Sequence, residues 1–341
     1  MMAGRISGAR CGALVAGTFF FLLFSFPFQA RGDVQVRSPS GQVFLDCSSL
    51  KDAYLDRRSG QESFARTLLA VRCFNYRMLV VRASAAGMKA FELEHGVDEE
   101  GERAAVKALD GEMRPGLRRL EGGLPSILQL SAPDVSAAAL AEHYRFEFIG
   151  RARIADRPVV VIDAVPMDEL RYAQRFWLDS HSGLPLKRLT IDLAGRVVET
   201  LQVVRLEQLE GFDGRLAVNS AMPIDGDAGV SWLPAGFIAR GQAAVELAGE
   251  RMESRLYGDG LSSLSVFVGP WLESAALPAG LHALGASKAM VRHLGVKGSG
   301  YQVVVVGEVP DPVLAQVAEG VVPAQADDGR PVQGGRSNFP P

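Results

Sequence analysis

The chain has 341 residues, 48% of them hydrophobic and 22% charged, with a formal net charge of −3. That length holds two ordinary domains, and the balance is that of a globular protein rather than a disordered one. A mildly acidic chain lacks the basic footprint of a nucleic-acid binder, so no nucleic-acid partner is expected.

The N-terminus reads as a secretory leader. Arg5 and Arg10 precede an almost wholly apolar run from Cys11 to Phe28, and Ala30-Arg-Gly32 places small residues where a signal peptidase reads. Residues 1–32 are therefore expected to be a signal peptide, cut before Asp33. The competing reading of the same run is an uncleaved anchor. Without the leader, 33 basic and 39 acidic residues remain, and the cysteines reduce to Cys47 and Cys73. In an oxidising compartment two free thiols are uncommon. Sequence alone does not bring the pair within bonding distance, so a disulfide and two thiols both stay open.

Residues 33–48 are polar and read as a flexible lead-in. Residues 50–74 carry Phe64, Leu68, Leu69 and Val71 near helical spacing and predict a helix. Residues 75–82, 89–94 and 106–109 predict strands, with a solvated acidic turn at 98–102. Asp134 is expected to cap a short helix over 135–144. Strands follow at 144–149 and 159–163. Residues 171–185 then run as a strand into a tight turn. Phe176 and Leu178 lie on one face of that strand; Arg175, Trp177 and Asp179 lie on the other. Ser180, His181, Ser182 and Gly183 supply the turn, and 186–192 and 197–206 form the returning strands.

Residues 211–231, with Met222-Pro-Ile-Asp-Gly-Asp-Ala-Gly229, hold little periodic pattern and read as a linker. A second domain over 232–320 is expected to have strands at 237–239, 250–257, 263–268 and 301–307, with shorter ones near Ala283 and Met290. Asp311-Pro312 signals a helix start, and Gly320 its end. The tail 321–341, rich in Gly, Pro, Asp and Gln, is expected to be disordered.

No catalytic centre emerges. His95, His143, His181, His282 and His293 are scattered without a ligand partner at metal spacing. Gly295, Gly298 and Gly300 precede a strand, where a phosphate loop needs a helix. There is no Gly-x-Ser-x-Gly elbow. Glu92, Glu94, Asp98, Glu99, Glu100 and Glu102 read as a solvated face. No enzyme activity, cofactor or metal is expected. The positive signal is alternation: Leu79, Phe91, Phe146, Phe148, Phe176 and Leu178 take apolar positions in successive strands. They form either a core under the helices or an acyl-chain cavity under a helical lid.

Several separated blocks resemble one family, in order and with similar spacing. They are Arg151-Ala-Arg-Ile-Ala-Asp-Arg-Pro158, Val165-Pro-Met-Asp168, Arg171-Tyr172, Phe176-Trp-Leu-Asp179 and Gly183-Leu-Pro185. Further along come Leu233-Pro-Ala-Gly-Phe237, Leu256-Tyr-Gly-Asp-Gly-Leu261, Ser265-Val-Phe267 and Val306-Gly-Glu-Val-Pro310. From about residue 60 to 320 the chain resembles the MucB/RseB family of periplasmic regulators of the envelope-stress sigma factor. The stretch 113–133 departs from the family and looks shortened.

The resemblance implies an α+β fold. A curved antiparallel sheet, a half-barrel with a helical lid, fills 49–210 and is similar to LolA/LolB-type lipoprotein carriers. A smaller α+β domain with an antiparallel sheet follows. It also implies a periplasmic protein that binds the periplasmic part of a transmembrane anti-sigma factor of the MucA/RseA kind. Binding shields that partner from proteolysis, and a lipid or lipopolysaccharide signal releases it. On this view Leu79, Phe91, Phe146, Phe148, Phe176 and Leu178 line a lipid cavity. The partner-binding candidates are read from the residues themselves: Trp232, Tyr257 and Trp271 are aromatics close to turns with Arg255 and Asp259 as nearby charges, which suits an interface, and a homo-oligomer stays open. The competing reading is a periplasmic carrier of lipoproteins or lipid.

Overall fold

The computed structural model describes residues 35–37, 43–50, 55, 59–110, 118–119, 136–218, 229–247, 250–271 and 277–321. The expected leader, the tail beyond Val321, most of the shortened stretch 113–133 and residues 219–228 of the linker lie outside them.

The elements begin with β1 (Gln35–Arg37), β2 (Val43–Asp46), a 3-10 turn at Cys47–Leu50, and α1 (Gly60–Cys73). Strands β3 (Phe74–Ser84), β4 (Gly87–Asp98), β5 (Gly101–Ala108) and β6 (Arg118–Arg119) follow, then α2 (Ala137–Ala141). Next come β7 (Tyr144–Ile154), β8 (Arg157–Pro166), β9 (Ala173–Asp179), β10 (Pro185–Ile191), β11 (Val197–Gly211) and β12 (Arg215–Val218). The last set is β13 (Ile238–Leu247), β14 (Glu250–Gly258), β15 (Ser263–Pro270), β16 (Gly280–Leu284), β17 (Ser287–Leu294), β18 (Tyr301–Gly307) and α3 (Asp311–Gly320).

Three sheets result, all with antiparallel pairing among the described residues. Nine strands run in the order β6-β5-β4-β3-β11-β10-β9-β8-β7, and six in the order β13-β14-β15-β18-β17-β16. β12 joins β2 and β1 in a small third sheet, so the first part of the expected linker is ordered strand. The architecture is the expected α+β one: open antiparallel sheets with few helices and a smaller second sheet.

α1 begins ten residues later than its hydrophobic spacing predicts. Ser59 and Glu62 form a capping box, each side chain accepting from the other residue's backbone N–H. α1 lies over β7 and β8 and beside α2. Its Phe64 ring stacks on Phe146 at 4.6 Å and tilts against Phe176 at 5.1 Å. Such ring pairs contribute about 0.5–1.5 kcal/mol beyond the area they bury. Gly60 permits the approach, since a Cβ there would sit 2.5 Å from the Phe146 carbonyl oxygen. The helix is also tied to the β9–β10 turn. Arg66 Nη2 donates to the carbonyls of Leu50 and His181, and Thr67 Oγ1 donates to that of Gly183.

That turn is built around Asp179. Its carboxylate is buried and accepts from Arg157, from the Ser182 N–H at 2.8 Å and from the Ser182 hydroxyl at 2.9 Å. Burial works to raise its pKa, but the Arg157 and Ser182 hydrogen bonds outweigh it and the net shift is downward. A carboxyl depressed in the folded state stabilises it above the unfolded pKa, about 3.9 for Asp. That contribution disappears as pH falls through the folded value. Urea midpoints should therefore hold from neutrality down to about pH 5 and drop below about pH 4. In Asp179→Asn the acid-dependent part of the drop should shrink; an unchanged profile would place the dependence elsewhere.

α3 covers one face of the six-stranded sheet with Val313, Leu314, Val317 and Ala318, packed in one buried cluster with Tyr257, Leu264, Val266, Val303 and Val305. Its N-cap is Pro310 without a side-chain hydrogen bond. Asp311, expected as the cap, is the first helical residue and pairs with Lys288. Gly320 ends the helix where a Cβ would meet Ser231 Oγ at 2.9 Å.

Candidate functional site

The nine-stranded and six-stranded sheets meet through a turn of the second inserted into the core of the first. β14 and β15 are joined by Asp259-Gly-Leu-Ser262. Gly260 has φ +106°, a value that glycine adopts without strain. Asp259 Oδ1 accepts from the N–H groups of Leu261 and Ser262, both at 2.8 Å. Asp259 Oδ2 faces the first sheet, where it accepts from Arg171 Nη1 at 2.8 Å and from the Tyr144 hydroxyl at 2.9 Å. Gln174 Nε2 donates to the Leu261 carbonyl at 2.8 Å. Leu261 itself is 1% exposed and belongs to the buried apolar cluster of the first sheet.

Arg171 is fully buried. Besides Asp259 it pairs with the partly exposed Asp168 at 3.2 Å, bonds the Ala235 carbonyl at 2.7 Å, and lies 5.5 Å from the ring centres of both Tyr144 and Phe237. A buried guanidinium needs this degree of satisfaction, because an unpaired charge out of water is very costly. Burial and then the Asp259 charge push the Tyr144 phenol well above its ordinary pKa, so it remains a neutral donor to the carboxylate.

A second polar contact is made by other strands of the first sheet. Glu199 of β11 pairs with Arg188 of β10 at 2.7 Å and with Arg82 of β3. Arg82 also reaches Glu308, just after β18, at 3.0 Å. With Ser263 and Ser287 these four residues line a cleft of about 180 Å³. Among the described residues no group of three His, Cys, Asp or Glu side chains is placed to hold a metal. No helix among them is long and apolar enough to cross a membrane.

Not all the apolar candidates share one face. Phe176 and Leu178 are fully buried, and Phe146 and Phe91 are half-buried on the α1 side of the sheet. Leu79 is on the opposite face. It pairs with Glu92, whereas Val80 pairs with Phe91 and Met78 with Leu93. Directly opposed residues share a face, so the inward residues of β3 are Tyr76, Met78 and Val80. Either register of an apolar strand satisfies alternation, which is why sequence picked the wrong one. Phe148 pairs with Ile162 but is 44% exposed. It sits on the edge strand beyond the point where α1 crosses at Phe146.

The partner candidates divide likewise. Tyr257 is 1% exposed in the second core and Asp259 is consumed by the junction, so neither presents a surface to a partner. Arg255 is half-buried against Glu253 at 2.7 Å. Trp232 is half-buried on the second core, and Trp271 stacks on His293 at 4.2 Å. Cys47 and Cys73 form a disulfide with Cα atoms 5.4 Å apart, tying the 3-10 turn to the end of α1.

Tyr144, Gln174 and Leu261 were not singled out from sequence, nor was the pairing of Arg171 with Asp259. The signal was present in another form. Two of the blocks that carry the family resemblance, Arg171-Tyr172 and Leu256-Tyr-Gly-Asp-Gly-Leu261, are those that meet here.

Comparison with known proteins agrees. Residues 59–222 match the model of the MucB/RseB N-terminal domain, and residues 228–322 that of the MucB/RseB C-terminal domain. The sigma factor AlgU regulatory protein MucB of Pseudomonas aeruginosa is 31% identical over 260 residues, covering 69% of this chain and 82% of that protein. The sigma-E factor regulatory protein RseB of Escherichia coli K12 is 25% identical over 289 residues, 74% of this chain and 87% of that one. A crystal structure of MucB in complex with MucA(peri) superposes with a TM-score of 0.57 at 26% identity, covering 78% of this chain and all of that one.

Proposed function

The chain belongs to the MucB/RseB family, and on that premise we propose that it is a periplasmic negative regulator of an extracytoplasmic stress sigma factor. It binds the periplasmic part of a transmembrane anti-sigma factor, shields it from proteolysis, and lets go when a lipid or lipopolysaccharide signal binds the first domain. It works by binding and not by catalysis. The observation that carries this reading is the presence of both family domains in order, in a chain 31% identical to a sigma factor regulatory protein. The related MucB is found with MucA(peri). Release by a ligand requires that the ligand prefer the partner-free protein, so partner and ligand must weaken each other equally.

The test is a titration of the secreted protein against the anti-sigma factor's periplasmic segment, with and without lipid. Saturable binding that lipid weakens is expected. Binding no better than to an unrelated peptide would sink the regulator reading; stoichiometric lipid transfer between vesicles would put a carrier in its place. Trp232 is the half-exposed aromatic best placed as an anchor. Trp232→Ala should weaken partner binding by about 2 kcal/mol, roughly 30-fold, while the melting curve stays cooperative.

The two-domain division, 49–210 and 232–320 around a 211–231 linker, belongs to the same proposal. Because β12 is paired to β2, limited proteolysis should cut first between Val218 and Trp232. Early cuts within β9–β11 would count against it.

A further inference from the structure

The Asp259–Ser262 turn has the chemistry of an amphiphile. It presents a carboxylate to Arg171 and Tyr144. Two residues on, it sinks an aliphatic side chain into the apolar core under α1. The seat around it is built within the first sheet, by Tyr144 at the start of β7, Arg171 just before β9 and Gln174 within β9. The occupant comes from the second sheet. A permanent apolar core has no need of a fully buried guanidinium at its margin. A site for a removable anionic group does, because such a group needs a matching charge waiting for it.

We propose that this turn is a built-in plug, and that the seat beneath it is the binding site for the end of one acyl chain with an anionic headgroup. The headgroup takes the place of the Asp259 carboxylate on Arg171 and Tyr144, and the chain takes the place of Leu261. Arg171 therefore keeps a buried counter-charge, in addition to the partly exposed Asp168, throughout the exchange. Exchange undocks the turn and, with it, this polar contact between the sheets. This deepens the lipid-release reading above and rests on it: it names the seat, the headgroup charge and the element displaced. Carboxylate and phosphate headgroups share the required chemistry. A neutral alcohol of the same length does not, since it leaves Arg171 with Asp168 alone, a partly exposed carboxylate at 3.2 Å.

The experiment uses the full secreted protein and cis-parinaric acid, a fluorescent C18 carboxylate, with octadecyl phosphate and octadecanol as competitors. Three results are expected. On saturation, the amides of Leu261 and Ser262, which donate to Asp259, exchange hydrogen at least tenfold faster, while the amides of β9 and β10 stay protected. Octadecyl phosphate displaces the probe at least tenfold better than octadecanol. Leu261→Ala binds the probe about tenfold more tightly, because the competing side chain is mostly gone. If Leu261→Ala does not fold, the exchange measurement on the unaltered protein decides. Saturation that leaves the two amides protected would overturn the proposal, as would equal potency of alcohol and phosphate. So would absence of probe binding to both proteins. Each of these leaves the anti-sigma titration free to succeed, and a failed titration leaves these readouts untouched, so the two ideas fail separately.

Discussion

Replacing Asp259 by alanine should destabilise the folded chain by about 3–5 kcal/mol, the cost of removing one partner from a buried ion pair. Asp259 is the fully buried carboxylate on Arg171, at 2.8 Å; the other described carboxylate there, Asp168 at 3.2 Å, is partly exposed, and the Ala235 carbonyl is a neutral acceptor. Loss of Asp259 also strands the Tyr144 hydroxyl, apart from the Ser262 hydroxyl at 3.1 Å, and two backbone N–H groups. Urea denaturation followed by far-ultraviolet circular dichroism measures the change. Arg171→Met together with Asp259→Ala should cost less than Asp259→Ala alone, because no buried guanidinium is then left with the partly exposed Asp168 as its one carboxylate. Simple additivity of the two substitutions would mean that they do not form a pair. An unaltered midpoint in Asp259→Ala would show that the carboxylate carries no part of the junction. The same logic bears on ligand release. Neutral removal of Asp259 is expensive, whereas exchange for another anion is not.

Breaking the Cys47–Cys73 bridge should have an effect of similar size. The two residues are 26 apart in sequence. Closing a loop of that length in the unfolded chain corresponds to roughly 3.5 kcal/mol on the chain-entropy account. Cys73→Ser, or dithiothreitol during unfolding, should lower the urea midpoint accordingly. Both sulfurs belong to buried residues at the end of α1 and in the 3-10 turn, so the folded protein should resist mild reductant and lose the bridge only as it opens. Rapid modification of the native protein by a thiol reagent after mild reduction would contradict that. A midpoint unchanged by complete reduction would mean that the bridge contributes nothing to the unfolded-state entropy.

Much of the fold was legible in the sequence because its local rules are short-range. Strands β3, β4, β7 to β11 and β14 to β18 follow from apolar alternation broken by turn residues. The Ser180–Gly183 turn follows from its own side chains, with Asp179 holding the backbone of the residues after it. The start of α1 was legible too, in Ser59 and Glu62 at capping-box spacing, although apolar periodicity pointed ten residues earlier. The family was readable from blocks spread over the chain, and these mark residues whose partners lie far away in sequence.

Tertiary structure decided the rest. Which face of β3 turns inward is set by the register with β4, since a one-residue shift moves every side chain to the other face. That is why Met78 and Val80, and not Leu79, are under the helix. Tyr257 and Asp259 looked like surface anchors because aromatic and charged residues near a turn suit an interface. Their burial depends on α3 and on Arg171, which are respectively more than 50 and 88 residues away in the chain. The sequence by itself determined the family, most strands of the two larger sheets and the apolar surface to be covered, but not β1, β2 and β12, which fall in stretches read as lead-in and linker. What covers that surface, a turn carrying its own carboxylate and leucine, was decided only by the packing of one sheet on the other, because a buried charge selects its partner through space and not along the chain.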